Sequence, residues 1–234
     1  WLCEALCEHM DLQPGMRVLD MGCGMALTSV FLAREFGVQV WANDLWIEAG
    51  DNWQRIREAG LEDRVFPIHA EAHDLPYAEE FFDAMVSIDS YQYYGTDDLY
   101  LGYISRFMRP GAQLGISCPA LTRELRHDEL PEHLDRRYEN GEVYWDPREC
   151  WCFHNADWWA EHWSRTGLVE VEMAEMVEDG AGLWLRWERA LDASTVDRMF
   201  PSCAPWLEAD GGRYLGWAQM VARKTGCRTQ HTET

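Results

Sequence analysis

The segment Val18-Leu19-Asp20-Met21-Gly22-Cys23-Gly24 constrains this chain more than any other stretch. Its apolar residues read as the end of a buried strand. Two glycines one residue apart then turn the chain into a helix whose inward face is Leu27, Val30, Phe31 and Phe36. Glycine at such a bend lets a ligand approach the backbone, and the helix N-terminus beyond it offers N–H groups to a carboxylate. A strand entering a helix in this way is the first half of a βαβ unit, so a parallel sheet follows if the alternation repeats.

It repeats along the chain. Trp1, Leu2, Ala5, Leu6 and Met10 have amphipathic helical spacing, and Pro14-Gly15 stops that helix. Arg17 to Met21 is the first strand, Gly37 ends the next helix, and Val38 to Ala42 reads as a second strand. A helix over 47–59, strands over 65–69 and 82–88, a helix over 97–108 capped by Thr96, and a strand over 112–118 after Arg109-Pro110-Gly111 follow. From 119 to about 153 prolines, charges and aromatics replace the pattern, as in an insertion over the sheet edge. Asn155 then caps a helix to 166, Gly167 stops it, and a strand over 168–176, a tryptophan-rich helix over 183–191 and a strand over 214–222 complete the chain. The expectation is an α/β fold: a seven-stranded, mostly parallel sheet with helices on both faces and a small inserted lid. It divides the chain into a core over 1–118, a lid over 119–165, and strands and helices over 166–234 that complete the sheet.

Composition narrows the partners. Forty-one acidic residues against 20 basic ones leave a net charge of −21, which repels nucleic acid and anionic membrane surfaces. An apolar content of 47% with 13 tryptophans supports a packed core, and no apolar run approaches the roughly 20 residues of a membrane span. The eight cysteines are scattered, with no secretory leader pattern, so reduced thiols in the cytoplasm are expected. The chain opens at Trp1 inside a helical pattern and without an initiator methionine, so preceding sequence is expected. A monomer or homodimer acting on a small molecule is the expected state.

Two acids indicate what the glycine turn binds. Asp20 lies two residues before Gly22, where a nicotinamide-binding fingerprint has an apolar residue, and Leu27 stands where that fingerprint has its third glycine. An acid at 20 suits a ligand with an ammonium group. Asp44 follows the second strand about 20 residues past the glycines, where a carboxylate accepts bonds from both ribose hydroxyls.

With these residues in place, the chain resembles class I S-adenosylmethionine-dependent methyltransferases over nearly its whole length. The resemblance rests on Leu19 to Gly24, Asp44, Glu71-Ala72 with Leu75-Pro76-Tyr77, Phe82 to Ser87, and Pro110-Gly111. More narrowly, the stretches 87–107, 153–172 and 210–223 are similar to a bacterial small-molecule subgroup often labelled cyclopropane-fatty-acid-synthase-like. The resemblance implies a Rossmann-like fold with S-adenosylmethionine as cofactor and S-adenosylhomocysteine as its product. It implies that Asp20, Gly22, Cys23 and Gly24 hold the methionine end, Asp44 the ribose, and Glu71 with Ala72 the adenine. Leu45 would pack on the adenine ring, and Ile88 with Asp89 would close the methionine side. The chain departs from the family's pattern at Met25-Ala26, where many members have glycine second, and at Gln92, where many have histidine.

Asp89, Tyr91, Gln92 and Tyr94 follow the fourth strand at the sheet edge where ligands bind. Asp89, Gln92 and His154 are the candidate catalytic residues, and Tyr91, Tyr94 and His154 the candidate acceptor contacts. Methyl transfer from a sulfonium is an in-line displacement, so positioning and exclusion of water supply most of the catalysis and a base is optional. Cys150, Cys152 and His154 would share one face if extended, but a closed metal site needs a fourth ligand, so no metal is expected. Trp158, Trp159 and Trp163 lie at helical spacing and read as packing. Two alternatives stand beside the small-molecule reading: a thiol or metalloid methyltransferase using Cys118, Cys150, Cys152 or Cys203, and a protein that binds S-adenosylmethionine without turnover.

Overall fold

The alternation read from the sequence folds as one seven-stranded sheet with the order β3-β2-β1-β4-β5-β7-β6. The computed structural model describes residues 1–126, 129–194 and 201–226; residues 127–128, 195–200 and 227–234 of the expected lid and C-terminal segments lie outside the described residues. The strands are β1 (Arg17–Met21), β2 (Gln39–Asp44), β3 (Val65–His69), β4 (Phe82–Ile88), β5 (Met108–Leu121), β6 (Val169–Met176) and β7 (Leu215–Lys224). Strands β1 to β5 pair in parallel, whereas β7 runs antiparallel to both neighbours, β5 and β6. Helices α1 (Leu2–Cys7), α2 (Leu27–Phe36) and α3 (Ala49–Glu58) lie in the first half. In the second half are α4 (Gln92–Gly95), α5 (Tyr100–Ile104), α6 (Pro147–Cys150), α7 (Ala156–Ser164), α8 (Gly180–Asp192) and α9 (Ala204–Asp210).

From β1 the chain steps outward through β2 to β3, then returns to place β4 on the other side of β1. The connections leaving β1 and β4 therefore diverge, and a crevice opens between them at the carboxyl edge of the sheet.

Period-two alternation divides the core between the two faces. Val18, Val40, Ala42 and Val86 pack with Leu6, Leu32, Ala33 and Ile56 on one face. Leu19, Met21, Met85, Leu114 and Ile116 pack on the other face with an aromatic layer of Tyr91, Tyr100, Trp159 and Trp163. Trp159 and Trp163 are fully buried. Thus α7, which falls within the expected lid, packs into the main core, and Asn155 caps it as expected, its side chain accepting from the Trp158 N–H.

Three elements differ from the sequence reading. The helix expected over 97–108 is replaced by the short α5 and a 3-10 turn over Ser105–Phe107, with α4 before them. Asp97 accepts the Leu99 N–H in a local turn, and such short side chains compete with the helical ladder. Arg109-Pro110-Gly111 does not precede β5 but lies inside it, where the register against β4 shifts between Phe82 and Ala84 and Gly111 adopts φ +81°. Strand β5 then continues to Leu121 because β7 pairs with it from Gln113 onward. Finally, Cys150 ends the short α6, so Cys150, Cys152 and His154 do not share an extended face. Among the described residues no helix is long and apolar enough to cross a membrane.

Candidate active site

The glycine turn after β1 is held by three polar groups. Gly22 and Gly24 adopt φ +69° and +53°, conformations that only glycine takes without strain. The Gly22 and Cys23 N–H groups donate to the Asn43 carbonyl at 2.9 and 3.0 Å. The Gly24 N–H donates to the Asp44 carboxylate at 2.8 Å, and the buried Asn52 amide donates to the Gly24 carbonyl at 2.8 Å. The N–H groups of the turn itself are therefore engaged within the protein. Ala26, at the family's usual glycine position, caps α2 at φ +60° with its methyl group fully buried.

A cavity of about 500 Å³ opens above this turn. Met21, Gly22 and Gly24 form its floor, and Asn43 to Trp46 its wall on the β2 side. Ala70 to His73, after β3, continue that wall, while Asp89, Ser90, Tyr93 and Tyr94, after β4, form the opposite one. Arg148 and Glu149 of α6 stand at the mouth. Sequence-predicted Gly22, Gly24, Asp44, Leu45, Glu71, Ala72, Asp89 and Tyr94 thus meet around one cavity of ligand size.

The other predicted residues lie elsewhere. Asp20 is buried behind the turn, where one carboxylate oxygen accepts from Ser29 at 2.6 Å and the other has no partner. Cys23 is also buried, its thiol near the Gly24 carbonyl and the Asn52 amide. Ile88 packs with the core of the opposite face. Tyr91 is fully buried against Gly95, where an added Cβ would meet its ring at 2.0 Å, and forms part of the aromatic layer instead of the cavity wall. Gln92 is buried beneath Asp89 and donates to it at 3.0 Å. His154 stacks on Trp158 with ring centres 3.6 Å apart and bonds Glu124 at 2.8 Å, so its expected places as base and as acceptor contact are not on the cavity wall.

Electrostatics single out two carboxyls. Burial raises the Asp20 pKa to about 7, the Ser29 hydroxyl opposing the shift and Asp44 adding to it. Burial likewise raises Asp89 to about 7, against the Gln92 hydrogen bond and with help from the Glu188 charge. Asp89 faces the cavity with an exposed side chain, and the surrounding protein, with the Glu188 charge, still disfavours its ionised form. Asp89 also adopts φ +55°. The His73 side chain, by contrast, lowers the Glu71 pKa through a 2.8 Å hydrogen bond. Burial pushes Tyr94 up to about 12.

Sequence reading missed Asn52, His73, Ser90, Tyr93, Arg148 and Glu149. Asn52 had a signal: it stands four residues before the buried Ile56, so it faces inward with no apolar reason to do so. The α6 residues had none, because their place depends on how the insertion folds back.

Residues 18–111, spanning β1 to the start of β5, match a family model described as a methyltransferase domain. Methyltransferase GfsG of Streptomyces halstedii is 37% identical to it over 115 residues, covering 49% of this chain and 41% of that protein. A glycine/sarcosine/dimethylglycine N-methyltransferase of Actinopolyspora halophila is 25% identical over 232 residues, covering 94% of this chain and 39% of that protein. The chain thus spans about two fifths of the length of these curated relatives. The crystal structure of the [4+2]-cyclase SpnF superposes with a TM-score of 0.70 at 25% identity, covering 96% of this chain and 80% of that one. The matched residues include the β1 turn, the β2 carboxylate and the loop after β4, which converge on the cavity.

Proposed function

We propose that this protein is an S-adenosylmethionine-dependent methyltransferase acting on a small molecule. The observation that carries the reading is the placement of the Gly22–Gly24 turn and the Asp44 carboxylate on one cavity, with Glu71 and Ala72 beyond. The cofactor fits these residues by its chemistry. The glycine floor admits it close to the backbone, and the unpartnered oxygen of buried Asp20 lies behind the end assigned to its ammonium group. Asp44 serves as acceptor for the ribose hydroxyls, Leu45 and Ala72 as apolar surface for the adenine, and Glu71 as its polar contact. When bound, the cofactor supplies an electrophilic methyl group on a sulfonium.

The protein's task is then to orient the acceptor and keep water out. Tyr93, Tyr94 and Trp46 give the cavity aromatic walls, and Asp89 a carboxylate on the acceptor side. Cys118, Cys150 and Cys152 are buried and their thiols raised above the ordinary range by that burial, which argues against the alternative of a thiol or metalloid methyltransferase that uses them. The seven described cysteines are free thiols, which supports a reducing compartment such as the cytoplasm. Work as a monomer or homodimer completes the reading.

Isothermal titration tests it directly. Both S-adenosylmethionine and S-adenosylhomocysteine should bind the protein, and Asp44→Ala should weaken both by on the order of tenfold or more, the scale of one charge-assisted hydrogen bond. An Asp44→Ala variant with unchanged affinity removes the ribose assignment. A protein that binds neither compound overturns the reading altogether.

A further inference from the structure

The carboxyls around the cavity fall into two groups. Asp20, Asp44 and Glu71 belong to the part assigned to the nucleoside and its amino-acid end. Asp89 and Glu149 line the remaining side, and Glu188, buried on α8, adds its charge to the surroundings of Asp89. Among the described residues the basic side chains lining this cavity are His73, paired with Glu71, and Arg148, which is engaged with Asp146 through Nη2 at 2.5 Å and Nε at 3.0 Å. The aromatic ring of Tyr93 completes that side. An acceptor there meets negative charge and an apolar ring, a setting that stabilises a cation and repels a carboxylate or phosphate.

Asp89 is also held in a specific way. One of its oxygens accepts the Gln92 amide at 3.0 Å, and the other has no partner among the described residues. Gln92 is fully buried, and its amide oxygen makes no hydrogen bond. Leaving a buried polar atom without a partner is costly, and the return here is an Asp89 fixed at the end of β4 in a left-handed conformation that aspartate rarely takes. Gln92 is thus a positioning residue, and the Asp89 oxygen facing the cavity has one open place for a donor.

Resting on the methyltransferase reading, we infer that the acceptor is an amine with an apolar body, bound as its ammonium ion against Asp89 and deprotonated by it before transfer. The ammonium passes one proton to the open Asp89 oxygen, leaving a neutral amine beside a protonated carboxyl. The nitrogen lone pair then forms the bond to the methyl carbon as the carbon–sulfur bond breaks and its electron pair stays on sulfur. The nitrogen becomes a methylated ammonium, and Asp89 returns its proton to water. The open Asp89 oxygen on the cavity wall supports this role, and the raised pKa of that carboxyl, to about 7 through desolvation and the Glu188 charge, is in keeping with it. Glu149 and the Tyr93 phenol also face Asp89, as do the buried thiols of Cys118 and Cys152, and all are neutral or acidic groups that favour a bound cation.

Titration of matched probes into protein saturated with S-adenosylhomocysteine decides the matter. Benzylamine and cyclohexylamine should bind on the order of tenfold more tightly than benzyl alcohol and cyclohexanol, as expected for a charge-assisted contact. Asp89→Asn should abolish that preference in protein that S-adenosylhomocysteine, whose methionine side the resemblance places beside Asp89, still saturates. Mass spectrometry with a deuterated methyl donor should then find the label on nitrogen. Equal binding of amines and alcohols, absence of amine binding, or a preference that survives Asp89→Asn each overturns the inference. Loss of S-adenosylhomocysteine binding in Asp89→Asn reassigns the carboxylate to the cofactor and also overturns it. If S-adenosylhomocysteine fails to bind the unaltered protein, the methyltransferase reading falls first; amine failure on saturated protein leaves that reading intact.

Discussion

Gly22 joins the two loops that frame the crevice, and its replacement by alanine gives a quantitative test of that junction. A Cβ at 22 would lie 2.0 Å from the Ser90 Oγ and 2.3 Å from the Ser90 Cβ, well inside contact distance. It would also stand on a backbone at φ +69°. The left-handed conformation costs an alanine roughly 1–2 kcal/mol, and forcing one extra methyl into a packed site costs about 1–3 kcal/mol more. Gly22→Ala should therefore destabilise the protein by about 2–5 kcal/mol in urea denaturation. For a chain of this size that lowers the thermal midpoint by roughly 2–4 °C for each kcal/mol. Ser90→Gly removes both clashing atoms but leaves the backbone conformation untouched. In that background Gly22→Ala should cost only about 1–2 kcal/mol, so the double-mutant cycle yields a coupling of about 1–3 kcal/mol. A Gly22→Ala cost that is the same with and without Ser90 refutes the junction, since the two loops would not then meet there.

Two further outcomes follow from buried titratable groups. Asp20 keeps its proton up to about pH 7 in the fold but only to about pH 4 once unfolded, so unfolding releases a proton between those values. Its contribution is thus fully present below pH 4 and declines as pH rises towards 7, by at most about 1.4 kcal/mol per pH unit, and urea denaturation of Asp20→Asn at pH 5 and 7 should show a flatter profile than the parent; an identical profile would show that Asp20 is hydrated. Cys118, Cys150 and Cys152, with thiols raised by burial, should resist iodoacetamide at pH 8 in the native protein and react fully in urea, as read by peptide mapping. Native-state labelling of Cys118 at the rate of a free thiol would contradict its burial.

How much was legible depended on the distance over which each feature is encoded. Strands β1, β3 and β4 follow the boundaries read from the sequence, because a buried strand leaves a short, mostly apolar run between turn residues. The helix expected over 97–108 failed for the opposite reason: Tyr91, Tyr94 and Tyr100 are drawn into an aromatic layer with Trp159 and Trp163, residues some 60 positions away that no local pattern announces. The meeting of Gly22, Gly24, Asp44 and Glu71 around one cavity was legible because each follows a strand at the same edge, so order along the chain becomes proximity in space. The wall contributed after β4 was only partly so. Tyr91 and His154 carry suitable groups, but packing turned the first into core and tied the second to Trp158 and Glu124.

By itself, then, the sequence determined the sheet, its glycine turn and the acids placed beside it, because strand periodicity and the conformational freedom of glycine are local properties. Only the tertiary structure decided that Asn43, Asp44 and Asn52 engage the polar groups of that turn, that Gln92 sits beneath Asp89, and that α6 returns to the mouth of the cavity. These relations depend on which side chains meet across loops, and that is settled by the packing of the whole core.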